Sequence, residues 1–148
     1  MSEAATGALQ FNTTPDERTM GLVCGLLAAF TGFIGPLVIF IIKKDSLFVK
    51  MCALQALLWH LGFMVISGGT MMLFVFGMVF STAIQVGHHT GGPPLFMFAF
   101  PFVWLIMMLG WIVNLTLGLL SGCKANEGIW WPYPIAGRLA RKFLGVAV

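Results

Sequence analysis

Chemistry has few places to reside in this chain. Its 148 residues include three histidines, three cysteines and five carboxylates. Glu3, Asp16, Glu17 and Asp45 lie in polar segments near the start, Glu127 lies near the end, and from Met51 to Cys123 there is no Asp, Glu, Lys or Arg at all. General acid–base catalysis needs ionisable groups positioned around one substrate. The sequence holds no paired carboxylates, no GxSxG, no HExxH and no phosphate-binding P-loop. Cys24, Cys52 and Cys123 are scattered without a CxxC spacing, so they read as small hydrophobes rather than zinc ligands or disulfide partners. His60 is the one imidazole inside an apolar stretch, and a haem, a proton or a quinone are the chemistries it could serve. Haem held by two histidines needs a second ligand at like depth. His88 and His89 instead stand in a loop, where they also lack a third metal ligand. No catalytic residue, metal site or cofactor follows, and a cofactor or quinone contact through His60 stays open as a second alternative.

What remains are polar groups that must be satisfied inside a bilayer. Such residues are functional candidates by default. Gln55, His60, Ser67, Thr70, Asn114 and Thr116 make up the set, none of them formally charged. Gln55 and Asn114 are suited to bonding across a helix interface, the usual use of uncharged polar groups in membrane bundles. Small residues support the same reading. Gly110, Asn114, Gly118 and Gly122 recur every fourth residue, and Gly21 and Gly25 form a GxxxG, which predicts a close helix contact within the chain or to a partner.

The elements that carry these residues follow from composition. The chain is 59% hydrophobic and 9% charged, a balance that no soluble domain of this size can hide. An all-α integral membrane protein is expected. A flexible tail is expected over residues 1–15, without a cleaved leader, then a transmembrane helical domain over 16–134. Spans are expected near 19–42, over 48–87 and over 95–123. Thr14 or Asp16 is placed to cap the first, and Gly35-Pro36 to kink it. The stretch 48–87 is either one long helix or two spans split at 67–69, which gives a three-helix bundle with four as the alternative. With three spans, Lys43, Lys44, Lys50, Lys124, Arg138, Arg141 and Lys142 share one side and only Arg18 lies opposite. The positive-inside rule therefore favours three, with the C-terminus in the cytoplasm and the chain multi-pass in a bacterial inner or intracytoplasmic membrane.

The run "KANEGIWWPYPIAGRLARKF", Lys124 to Phe143, closes the chain. Trp130, Trp131 and Tyr133 are expected as an aromatic belt at headgroup depth, with Pro132 and Pro134 turning the chain. Over 135–148, Ile135, Leu139 and Phe143 recur every fourth residue beside Arg138, Arg141 and Lys142. That pattern predicts a short basic amphipathic helix on an anionic inner leaflet. Nothing in it points to nucleic acid.

Four stretches carry a family resemblance: "DER" at Asp16 to Arg18, "GPLVIFIIKKDS" at Gly35 to Ser46, "FVKMCALQAL" at Phe48 to Leu57, and "KANEGIWWPYP" at Lys124 to Pro134. The chain resembles small bacterial membrane proteins classed with the channel-forming twenty-kilodalton subunit of the chloroplast inner-envelope translocon, and the magnetosome membrane proteins MamF and MmsF are similar. In the last stretch Ala125, Asn126, Gly128, Trp131, Tyr133 and Pro134 match the family pattern in order. Cys52 departs from it, standing where many members have His, and the second apolar stretch is longer than usual. The resemblance implies a small polytopic helical protein. Together with the residues, it leads to the expectation of a non-enzymatic protein that acts by assembly, as an accessory subunit of a larger membrane complex or as a homo-oligomer. A channel or protein-translocation component is the alternative.

Overall fold

The structure is a computed structural model that describes residues 8–43, 45–87 and 95–146. In chain order the elements are β1 (Leu9–Gln10), α1 (Pro15–Thr31), α2 (Ile34–Ile42), α3 (Leu47–Gly87), a 3-10 turn (Leu95–Ala99), α4 (Phe100–Asn126), β2 (Ile129–Trp130) and α5 (Ala136–Leu144). His88 and His89 lie outside the described residues.

α1 starts on a reciprocal cap. The Glu17 N–H donates to Thr14 Oγ1 at 3.3 Å, and the Thr14 N–H donates to Glu17 Oε2 at 2.8 Å. Pro15 follows at a position where a missing N–H costs nothing. The helix ends at Gly32, whose φ of 66° leaves the helical region. Pro36 explains the place of this break. It offers no N–H to the carbonyl four residues earlier, which belongs to Gly32, and its ring would collide there. Thr31 bridges the gap, donating to the Leu27 carbonyl at 2.7 Å and accepting the Gly35 N–H at 3.2 Å. α2 then returns, and Lys43 at its end pairs with Asp16 at the start of α1 at 2.8 Å. Where one helix is expected over 19–42, the chain forms two, of 17 and 9 residues, arranged as a hairpin. The Asp16–Lys43 pair brings its two ends together.

Ser46 opens α3 by accepting the Val49 N–H at 3.3 Å. α3 runs unbroken for 41 residues, about 60 Å of helix. The split considered at 67–69 does not occur. Ser67 and Thr70 bond back to carbonyls of their own helix, and a Cβ on Gly68 or Gly69 would meet nothing within 4 Å. In α4, Pro101 falls in the first turn, after the 3-10 turn, where its missing donor is harmless. α3, and residues 97–126 that include α4, are each long and apolar enough to cross a membrane.

The chain forms two compact units. The first comprises residues 1–62 and 113–148, the second 63–112. The second is a helical hairpin in which Gly110 faces the Phe63 ring and Phe74 packs against Phe100 at 6.0 Å between ring centroids. Its remaining large side chains are mostly exposed and apolar, as lipid contact requires.

The first unit holds the core: Cys24, Ile39, Phe48, Val49, Met51, Cys52, Ala53, Ala125 and Trp130. β1 pairs antiparallel with β2, with Leu9 opposite Trp130 and Gln10 opposite Ile129. The expected flexible tail over 1–15 is thus corrected for residues 9–14, which pair with β2, bury Thr13 and cap α1. Gly128 makes this possible. Its φ is 78°, and a Cβ there would stand 2.8 Å from Thr13 Oγ1.

Between β2 and α5, the Ala136 N–H donates to the Pro134 carbonyl at 2.7 Å, closing a three-residue turn around Ile135. Ile135 has φ 64° and ψ −58°, a strained conformation for a β-branched residue. It costs on the order of 1–3 kcal/mol.

Candidate functional site

The buried polar residues converge in the first unit. Gln55, Trp59 and His60 come from α3, Asn114 and Ser121 from α4, and Trp131 and Tyr133 from the segment after β2. Spacing places them. Gln55 and Trp59 are four apart on one face of α3, as Asn114, Gly118 and Gly122 are on α4.

Gln55 is fully buried and acts on backbone. Its Nε2 donates to the Trp131 carbonyl at 3.1 Å, and its Oε1 accepts the Tyr133 N–H at 3.4 Å. These two groups flank Pro132, in a stretch that belongs to no helix or strand. One side-chain amide therefore serves as the missing strand. Without it, the buried Tyr133 N–H and the half-buried Trp131 carbonyl would lose these partners.

Bond donation fixes the state of His60. Its Nδ1 lies 2.8 Å from the Ala56 carbonyl, which can only accept, so Nδ1 carries the proton. Nε2 is then an acceptor and takes a hydrogen from Asn114 Nδ2 at 3.1 Å. This turns Asn114 Oδ1 toward Trp59, whose indole N–H donates to it at 3.0 Å. An indole can only donate, so Trp59 sets the amide and the amide sets the imidazole. Both ring nitrogens of His60 are engaged by protein groups, the Ala56 carbonyl and the Asn114 amide.

Tyr133 closes the group. Its hydroxyl lies 3.0 Å from Ser121 Oγ, and its ring meets Trp59 edge-on at 6.1 Å and Trp131 at 6.5 Å. Burial pushes the phenol above its ordinary range. The aromatic belt expected from Trp130, Trp131 and Tyr133 is corrected here. Trp130 is 0% exposed and Tyr133 2%, so both are core residues, and only Trp131 is partly exposed. The prolines fold the run back onto α3 instead of along the headgroups. The Trp130 indole N–H is buried without a partner among the described residues, and Arg141 lies over its ring at 5.6 Å.

The glycines meet within the chain. A Cβ on Gly25 would lie 2.5 Å from the Gly122 Cα and 2.6 Å from the Gly118 carbonyl oxygen. One on Gly21 would lie 2.7 Å from the Ala125 Cβ. Gly110 is not part of this contact and faces Phe63 instead. Sequence reasoning missed Trp59, Ser121 and the inward role of Tyr133. The available signal for Trp59 was its place four residues after Gln55 and next to His60.

Charge gathers at one end of this unit. Asp16 pairs with Lys43, Lys124 pairs with Glu127 at 2.7 Å, and the Arg18 Nε donates to Thr13 Oγ1 at 2.9 Å. Hydrogen bonds from Ser46 and the Thr14 backbone hold the Glu17 carboxyl below its ordinary range. The bond to Asp16 raises the Lys43 ammonium above its own. Among the described residues no group of three or more His, Cys, Asp or Glu is placed to hold a metal ion.

A family model described as the magnetosome magnetite crystal formation protein family matches residues 16–140. The chain belongs to this family. The matched stretch begins at Asp16, in the first turn of α1, and ends at Ala140 in α5. For this MamF/MmsF member it takes in the glycine contact, the polar network and the γ-turn at Ile135. No curated protein and no solved structure matches the chain. Family membership and two long apolar helices make this MamF/MmsF-type chain a membrane protein.

Proposed function

We propose that this chain is a non-enzymatic component of the membrane that encloses a forming magnetite crystal, and that it acts by assembly, with copies of itself or as an accessory subunit of a larger membrane complex. One observation carries the reading. Where the polar side chains converge, the amides, imidazole, indole and phenol satisfy one another and the backbone. Such a network specifies one packing and offers no group to a substrate. The family's description supplies the biological setting.

The reading includes a topology. The start of α1, the turn after α2 and the loop after α4 lie together, joined by the Asp16–Lys43 pair and the β1–β2 pairing. α1 and α2 enter the bilayer and return, and α3 and α4 cross it. The segments holding all eight Lys and Arg then share one side. Under the positive-inside rule this side is cytoplasmic.

The glycines that meet inside the chain are not free for a partner. Assembly therefore uses the outer faces, where Gly62 and Gly69 stand open on α3. The test is native electrophoresis and crosslinking in mild detergent. Wild type runs as a defined complex, and Gly62→Leu with Gly69→Leu shifts it to monomer while its thermal stability holds. A wild-type chain that runs as a monomer, with no stoichiometric partner copurifying, overturns the reading.

A further inference from the structure

α5 presents two unlike faces. Ala136, Gly137 and Ala140 are buried, and Gly137 lies so close to Pro132 that a Cβ would stand 2.6 Å from the proline Cβ. This small-residue face seats the helix on the unit beneath. On the other side Ile135 is 74% and Phe143 71% exposed, with Leu139 between them. Leu139 and Phe143, four residues apart, share one ridge of the helix, and Ile135 precedes it at the N-cap. Arg138, Arg141 and Lys142 frame it. The two ion pairs among the described residues use neither Arg138 nor Lys142.

The turn before the helix sharpens this reading. Ile135 occupies a backbone conformation that favours glycine, yet it carries a branched apolar side chain into the open. The strained turn places that side chain at the head of the ridge.

We propose that α5 is a docking helix for anionic phospholipid, with Ile135, Leu139 and Phe143 inserted among acyl chains and Arg138 and Lys142 on lipid phosphates. The occupant follows from chemistry. The ridge is apolar, its frame is cationic, and it belongs to a chain whose other exposed surface is largely lipid-facing. α5 also lies beyond the last long apolar helix, after β2 and the turn at Ile135. Basic amphipathic helices bind such interfaces by combining both contributions. The proposal is independent of assembly, because the ridge engages lipid in a monomer as in an oligomer.

Delipidated full-length protein in neutral detergent is titrated with phosphatidylglycerol or phosphatidylcholine, and bound lipid is counted by native mass spectrometry. Wild type retains the anionic lipid preferentially, and added salt weakens the preference. Arg138→Gln with Lys142→Gln lowers that affinity on the order of twenty-fold, and Ile135→Ser with Phe143→Ser lowers retention of both lipids. Unchanged melting shows that the variants are folded. Equal retention of the two lipids by wild type, or wild-type retention by the charge variant, overturns the proposal. So does displacement of the lipid by inorganic phosphate at matched concentration, which marks a free-anion site. A spin label at Phe143→Cys, in phosphatidylglycerol vesicles, separates lipid from a protein partner. Collision with dissolved oxygen rather than with a water-soluble nickel chelate is expected, and shielding from both reagents overturns the proposal.

Discussion

Gly25 and Gly122 meet with no room for a methyl group between their helices: a Cβ on Gly25 would lie 2.5 Å from the Gly122 Cα. The obstacle is backbone, which cannot swing aside as a side chain does. Gly25→Ala is therefore expected to cost about 1–3 kcal/mol through overpacking, read as a lower melting temperature in detergent. Gly68→Ala is the control. Its Cβ meets nothing within 4 Å, so it is expected to gain about 0.5–1 kcal/mol from helix propensity. Equal effects at the two positions would remove the close contact.

Sequence placed this contact in part. Gly21 and Gly25 on one helix, and Gly118 and Gly122 on another, could be read from four-residue spacing. Gly110 has the same spacing, and its partner is Phe63, with which it shares the second unit. Spacing names a face and not its neighbour. The break at Gly32 was less legible, because Pro36 announces a disturbance without saying how far the chain turns. What makes α1 and α2 a hairpin is a pairing across 27 positions, Asp16 with Lys43. Trp130 and Tyr133 misled for a related reason. An aromatic after a membrane helix has the same composition whether it faces headgroups or folds back, and Gln55, 76 and 78 residues away, decides between the two.

Asn114 joins Trp59 and His60 through one amide. Asn114→Leu leaves the indole N–H and the imidazole Nε2 without partners, at a cost of about 1–3 kcal/mol by desolvation. Trp59→Phe frees Asn114 Oδ1 and removes the constraint on the amide. The double variant is expected to be less destabilised than the sum of the singles, since each removes the other's orphaned group. Thermal unfolding of the four proteins in the cycle measures the difference. Strict additivity would show that the bonds do not act as a unit.

The capped end of α1 predicts a pH window. Glu17 is held below its ordinary range by Ser46 and the Thr14 backbone, so its contribution is present above the unfolded carboxylate value of 4.5 and is lost as pH falls through the lower folded value. Lys43 is raised by Asp16, so its contribution is complete below 10.5 and is lost as pH rises through the higher folded value. Melting temperature should hold a plateau between these limits and fall on both sides. Glu17→Gln should flatten the acid limb alone, and Lys43→Gln the alkaline limb alone. Both groups are exposed, so salt should shrink each effect.

The hairpin of α1 and α2 gives the sharpest test of topology. With Cys24, Cys52 and Cys123 replaced, single cysteines are introduced at Gln10, Asp45, Gly87 and Glu127 and challenged with an impermeant maleimide in isolated, sealed crystal-enclosing vesicles, whose outer face is the cytoplasmic one. A first helix that crosses the bilayer puts Gln10 opposite Asp45. The salt bridge at 2.8 Å between Asp16 and Lys43 puts them on one side. The pairing of Gln10 with Ile129 adds Glu127 to that side. The expected pattern is labelling at Gln10, Asp45 and Glu127 from outside the vesicle, with protection at Gly87 until the membrane is opened. Protection of Gln10 together with Gly87, while Asp45 is labelled, would restore a crossing by α1 and α2 and put the Asp16–Lys43 pair out of reach.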